Sequence, residues 1–346
     1  MKEKSILIVF GLVVGGLLAG GLYLLYPLLR TKLPEGAQFA SVEEFQRTML
    51  KRDDRDVHDD SSVSLRTIIV PHPNDSIIYE LAPGSDVVFQ RAPTRINSCG
   101  MRDQEFSIPK PPGTIRIAFL GDSFTFGWGV KEEESFPSVA EKILNRFFAS
   151  DFKVETLNFG VPGYSTFQEV ASFEEKALDF DPDAVVVFFV ENDFGLPFFI
   201  RDLSVKGNVV TGASFAREAW KGEDPDVVQL DRSLRGMLDP NKGIRRLVRL
   251  GKRNGFSVHL AINPRPDWQQ DLDRLWIVKK ARSLDNMTLR SPFLEIVQRR
   301  SIEPKALSLS FDPHPSPIKH EILGELIASA LIPALDARYS SKEGWN

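Results

Sequence analysis

Ile115-Arg116-Ile117-Ala118-Phe119-Leu120-Gly121-Asp122-Ser123 is a short apolar run that stops at a glycine and then presents an acid and a hydroxyl. A run of this length, rich in Ile, Phe and Leu and bounded by turn residues, suits a buried strand. Gly121 eases a tight strand-to-helix turn. Such a turn lifts the Ser123 hydroxyl above the sheet, where a carbonyl can reach it. A peptide N–H at a helix start has no partner within the helix, so that of Ser123 is available to an oxyanion.

Outward from this run, strand and helix signals alternate. Ser135 is a candidate N-cap for a helix whose apolar face is Phe136, Val139, Ala140, Ile143, Leu144, Phe147 and Phe148. Val154 to Phe159 reads as a second strand, and Phe167 to Leu178 as a helix. Ala184 to Val190 (AVVVFFV) is almost wholly apolar, as a central strand covered on both faces is. A basic helix over Gly243 to Asn254, a strand over Ser257 to Ile262 and a last helix from Ser316-Pro317 to about Leu335 follow. Repeated β-then-α units predict an α/β fold, a three-layer α/β/α arrangement around a central parallel sheet. Ligands of such sheets sit at the carboxyl ends of the strands.

Three further segments follow strands or precede the last helix. Asn158-Phe159-Gly160-Val161-Pro162-Gly163 has the glycines to expose a backbone N–H, although an ordinary β–α loop reads the same way. Asn192, in Glu191-Asn192-Asp193, can donate its side-chain amide or cap a helix. In Asp312-Pro313-His314-Pro315, an acid two residues before a histidine can hold its ring if the segment is extended. Among the five histidines only His314 has such a setting. His259 lies within a strand, His72 in a proline-rich loop, and His320 on the last helix.

The rest of the chain narrows the class. The 346 residues carry a formal net charge of −4, too small to point to nucleic acid or a polyanionic partner. A single cysteine, Cys99, excludes an internal disulfide framework and a cysteine-based metal cluster. No metal or cofactor is implied, because the acids and histidines lack zinc spacing. Ser5 to Leu29 runs uncharged and apolar, longer than a signal-peptide core and long enough to span a bilayer. Lys2 and Lys4 precede it while Arg30 and Lys32 follow, so the positive-inside rule is nearly tied. We expect a single-pass protein with a short cytoplasmic N-terminus and a periplasmic or extracellular body. The expected organisation is an anchor over 1–32, a juxtamembrane linker over 33–62 and a β-rich lead-in over 63–112. The α/β domain follows over 113–338, with insertions near 194–239 and 264–300. Trp268 and Trp276, in the second insertion, could stack on sugar rings or pack the insertion itself.

In their order these segments resemble the sequence blocks of the SGNH (GDSL) hydrolase superfamily, a flavodoxin-like fold, from about Arg116 to Leu335. Asn97-Ser98-Cys99-Gly100-Met101-Arg102 is also similar to a lead-in of many bacterial membrane-anchored members. The resemblance implies Ser123 as nucleophile, His314 as base and Asp312 as its orienting acid. The oxyanion hole would comprise the Ser123 N–H, the Gly163 N–H and the Asn192 amide. Two positions depart from the pattern. Val190 stands where a glycine is usual two before the Asn, and Phe311 stands where the acid often lies three before the His. The implied activity is a serine esterase or acyl hydrolase on a small O-acyl ester, such as acetyl groups of an envelope or extracellular glycan. Two alternatives are an O-acyltransferase to polysaccharide and a catalytically silent membrane-tethered subunit. The expected partners are thus an ester substrate, with an acylated glycan as the candidate class, and a membrane through the N-terminal helix.

Overall fold

A computed structural model describes residues 62–149, 151–194, 239–264 and 275–340, apart from 75 and 78. The expected anchor, most of the linker, Trp268 and nearly all of the first insertion lie outside the described residues. Among the described residues no helix is long and apolar enough to cross a membrane.

The centre is a five-stranded parallel sheet in the order β6-β5-β7-β8-β9. Its strands are β5 (Thr114–Gly121), β6 (Lys153–Gly160), β7 (Ala184–Phe189), β8 (Ser257–Ile262) and β9 (Leu284–Met287). Every residue of β5 and β7 is buried, as their unbroken apolar runs require. Arg116 is the polar exception inside β5. Its Nε donates to Glu155 at 2.9 Å, and its remaining nitrogens donate to the Ser107, Ile108 and Phe180 carbonyls. A fully buried guanidinium is tolerated because its hydrogen bonds are made.

A one-turn helix α1 (Ser123–Phe126) leaves β5, followed by α2 (Phe136–Phe147), α3 (Thr166–Ser172) and α4 (Pro240–Asn254). The short α5 (Trp276–Lys280), then α6 (Arg290–Arg299) and α7 (Pro317–Ser340), complete the order. Helix α2 packs with α7, and α3 with α4. Strand order turns back after β6, so right-handed crossovers place these two pairs on opposite faces. Ser135 caps α2 as expected, its hydroxyl accepting from the Ser138 N–H.

Two expectations change. Helix α3 ends at Ser172, and the chain continues through a wider turn over Phe173–Ala177 and a tight one over Leu178–Phe180. The stretch 264–300 is not wholly an insertion, because it supplies β9, the fifth strand of the sheet. In β9 only Leu284 and Met287 are buried, while Asp285 and Asn286 face solvent. An edge strand needs no apolar run, so none was there to read.

The lead-in forms two antiparallel hairpins. In the first, β1 (Ile69–Pro71) pairs with β2 (Tyr79–Leu81). In the second, β3 (Asp86–Phe89) pairs with β4 (Ala92–Arg95). Gln90 and Arg91 make the two-residue turn between them with φ of 50° and 63°, the positive values that such a turn demands. The hairpins share a hydrophobic cluster with the start of the α/β domain, in which Tyr79 and Phe89 pack with Phe126, Trp128 and Tyr164. Arg102 completes the join. It is 1% exposed and donates to the Pro93, Phe126, Gly127 and Val130 carbonyls. Burial lowers its pKa to about 10.

Candidate active site

The carboxyl ends of β5, β6 and β7 meet the segment before α7. Asp122 caps α1, its Oδ1 accepting from the Phe124 N–H at 2.9 Å. This fixes Ser123 at the first helical position, 7% exposed. His314 Nε2 lies 2.8 Å from Ser123 Oγ. His314 Nδ1 contacts Asp312 Oδ1, and the same carboxylate oxygen accepts from the His314 backbone N–H at 2.8 Å. The three residues therefore form one hydrogen-bonded series.

The way Asp312 reaches the ring differs from expectation. The segment 310–314 is bent rather than extended. The Asp312 carboxylate folds back over its own turn, as Asp side chains do, and takes both N–H groups of the residue two ahead. The turn sits inside a closed loop, where Ser308 bridges Pro315 and Leu309 N–H donates to the His314 carbonyl at 2.9 Å. Phe311, three before His314, faces the Arg91 guanidinium at 4.3 Å.

Asn192 Nδ2 donates to Asp122 Oδ2 at 2.6 Å, which ties the end of β7 to the turn that carries Ser123. An amide nitrogen has two hydrogens, so one stays available. The Val161 N–H donates to the Gly121 carbonyl at 3.1 Å and draws the loop after β6 to the same place. Gly163 has φ +80°, and the neighbouring turn closes through the Tyr164 N–H to the Val161 carbonyl rather than through Gly163. Val190 is 3% exposed at the end of the β7 core, and its N–H donates to Asp193 Oδ2 at 2.7 Å.

Beside Asp122 lies a buried carboxyl pair that sequence reasoning missed. Asp193 accepts from the Val190 N–H and from the Thr166 hydroxyl at 2.8 Å. Glu169, 1% exposed on α3, has no donor among the described residues and lies against Asp193. Burial, with the neighbouring Asp193 and Asp122 charges, raises Glu169 well above the carboxylate range. Burial and the Asp122 charge raise Asp193 to about 7. Since Asp193 already accepts two hydrogen bonds, the shared proton belongs on Glu169. Carboxyls raised in this way stabilise the fold fully below about pH 4, and that stability is lost as pH rises to about 7 and beyond. Glu169→Gln keeps a donor without the titration. It should flatten the loss and make the variant more stable than wild type at pH 8 by about 1–3 kcal/mol, with little difference at pH 4. Urea unfolding at pH 4, 6 and 8 checks this. Parallel pH dependences for the two proteins would refute the shared proton.

The other histidines have different surroundings. His320 is fully buried under Phe136, accepts that residue's N–H at 3.2 Å, and is lowered to about 3 by burial. His259, buried as its strand position predicts, makes a second series, with Ser257 Oγ at 2.8 Å and Asp285 Oδ2 at 3.0 Å. That series lies toward the amino ends of the strands, away from the end where ligands of such sheets bind.

Residues 119–284 match the model of the GDSL-like lipase/acylhydrolase family. Over these residues, just under half of the chain, the sequence is similar to that family. The GDSL-like region opens inside β5 and closes at the start of β9, so both the lead-in and Asp312–His314 lie outside the matched stretch. No curated protein matches the chain. Similar solved structures include an acetyl xylan esterase at 21% identity, covering 63% of this chain and 100% of its own, with TM-score 0.41. Another is a catalytic mutant of an acetylxylan esterase from Geobacillus stearothermophilus, at 20% identity, covering 62% and 93%, with TM-score 0.40. A third is a two-domain esterase active on acetylated mannans, at 20% identity, covering 64% and 49%, with TM-score 0.43. The chemistry that the GDSL-like superfamily and the Ser123 series have in common is that of a serine ester hydrolase.

Proposed function

We propose that this protein hydrolyses small O-acyl esters through an acyl-enzyme on Ser123. The observation that carries the reading is the continuous hydrogen-bond series from Ser123 through His314 to Asp312 at the carboxyl edge of the sheet. With its Nδ1 proton held by Asp312, His314 presents a bare Nε2 to the Ser123 hydroxyl. Ser123 Oγ attacks the ester carbonyl carbon and its proton passes to His314 Nε2. The resulting oxyanion is met by the Ser123 and Gly163 N–H groups and the free hydrogen of Asn192 Nδ2. Collapse breaks the C–O bond, and the leaving alcohol takes the proton from His314. Water then repeats the sequence on the acyl-serine and releases the acid.

Acetylated polysaccharides, the substrates named for the xylan and mannan esterases above, are the first class to try. The full-length chain should release acetate from them or from p-nitrophenyl acetate. A fluorophosphonate should label the wild-type protein but not Ser123→Ala. Absence of both turnover and labelling would overturn the proposal.

A further inference from the structure

We infer that Trp128 is a positioning residue of this reaction: held by the lead-in hairpin, its indole sets the plane of His314 and faces the charge on the imidazole while it carries the Ser123 proton. This rests on the serine hydrolase reading above. The two rings stack at 4.7 Å between centroids and 16° between planes. The His314 nitrogens are engaged in the ring plane by Ser123 and Asp312, so a parallel partner fixes the one remaining rotation. Phe124 covers the ring at 5.6 Å and 53°. An aromatic face carries negative quadrupolar potential and favours a cation above it. In the proposed reaction the imidazole becomes imidazolium as it takes the Ser123 proton, so a face that favours the cation favours that step.

Trp128 is itself held from three sides. Its backbone N–H donates to the Ser123 carbonyl at 3.0 Å, which ties the main chain of Trp128 to that of Ser123. Arg102 grips the carbonyls of Phe126, Gly127 and Val130 around it. Phe89, fully buried at the end of β3, meets the indole edge-on at 4.8 Å and 79°. The Trp128 Nε1 hydrogen is buried without an acceptor among the described residues, so packing and not its own hydrogen bond places the ring. Phe89 lies outside the matched family region, so the lead-in reaches His314 through the indole it supports. The charged groups around the histidine are Asp312, Asp122, Lys319 by Phe124, Arg91 by Phe311, and the buried Arg102. All of them stay in place in the variants below.

The test uses the full-length chain with Trp128→Phe and Trp128→Leu. Trp128→Leu should lower kcat for p-nitrophenyl acetate about 3–30-fold with KM within about twofold, and Trp128→Phe should recover most of it. Unchanged kcat in Trp128→Leu, a loss carried by KM, or a phenylalanine variant no better than leucine would overturn the inference. Fluorescence gives a reading that needs no turnover. His314→Ala should change the tryptophan emission of the wild-type protein and leave that of Trp128→Phe as it was, because the imidazole stacks on the Trp128 indole. An unchanged emission in the wild-type background, or the same change in the Trp128→Phe background, would overturn the stack. A protein whose emission responds in this way but which cleaves no ester would leave the stack standing and refute the hydrolase reading alone.

Discussion

Asp312→Asn should lower kcat about ten-thousandfold, with KM changed by no more than a few-fold. Asp312 does two things for His314: it accepts the ring Nδ1 proton and the backbone N–H, and it sets a negative charge beside the imidazolium. An asparagine keeps the size of the side chain and one acceptor oxygen. In the wild type one charged oxygen, Oδ1, holds both N–H groups; a neutral amide oxygen is a weaker acceptor for two such bonds, so the amide turns to keep its oxygen on the backbone N–H and its NH2 group toward Nδ1. A donor there favours the tautomer with its proton on Nε2. That nitrogen is 2.8 Å from Ser123 Oγ and can then no longer take its proton. Steady-state kinetics with p-nitrophenyl acetate at pH 7–8 measure the loss, and a thermal melt checks that the turn has kept its fold. Because the three residues act as a unit, Asp312→Asn combined with His314→Ala should cost no more than His314→Ala alone. A loss below tenfold would mean that another group orients the base.

Which features were legible in the sequence follows from where their causes lie. Strands β5 and β7 are covered on both faces, so their burial is written as unbroken apolar runs, and Ser123 could be read from its place at the end of one. His314 stood out because the other four histidines had strand, helix or loop settings. The bend that brings Asp312 to His314 is a local device, yet the pair spacing alone suggested an extended segment. It is the carboxylate's hold on the backbone N–H that decides for the bend. Glu169 lies in the helical stretch Phe167-Gln168-Glu169-Val170-Ala171, where its neighbours mark the buried face and a glutamate is ordinarily solvated. It is buried because Asp193, 24 positions later (193 − 169), supplies its partner. Strand β9 pairs on one edge only, and its two central residues face solvent. The contact from Phe89 to Trp128 to His314 joins three distant segments, and no local pattern encodes it.

Gly160→Ala should destabilise the protein by about 1–3 kcal/mol and lower kcat/KM about a hundredfold, although Gly160 touches no substrate in the proposed reaction. Gly160 ends β6, pairs with Gly121 at the end of β5, and faces the backbone of α1. A Cβ at this position would stand 2.2 Å from the Phe126 nitrogen and 2.7 Å from the Thr125 carbonyl carbon. Both are main-chain atoms, so no side chain can turn away and the helix itself must shift. Gly121 is crowded differently, since the nearest atom to its added Cβ is the Thr125 hydroxyl oxygen at 2.0 Å, at the end of a side chain. The φ of Gly160 is not positive, so alanine meets no backbone strain there and the contact with α1 is isolated as the cause. Helix α1 carries Ser123 at its first position, and Trp128 follows its C-cap, Gly127. Displacing it therefore moves the hydroxyl relative to His314 Nε2 and moves the indole with it. Urea unfolding measures the first effect and steady-state kinetics the second. If stability fell while kcat/KM in the folded fraction stayed at the wild-type value, the placement of Ser123 would not depend on the close approach of β6 to α1.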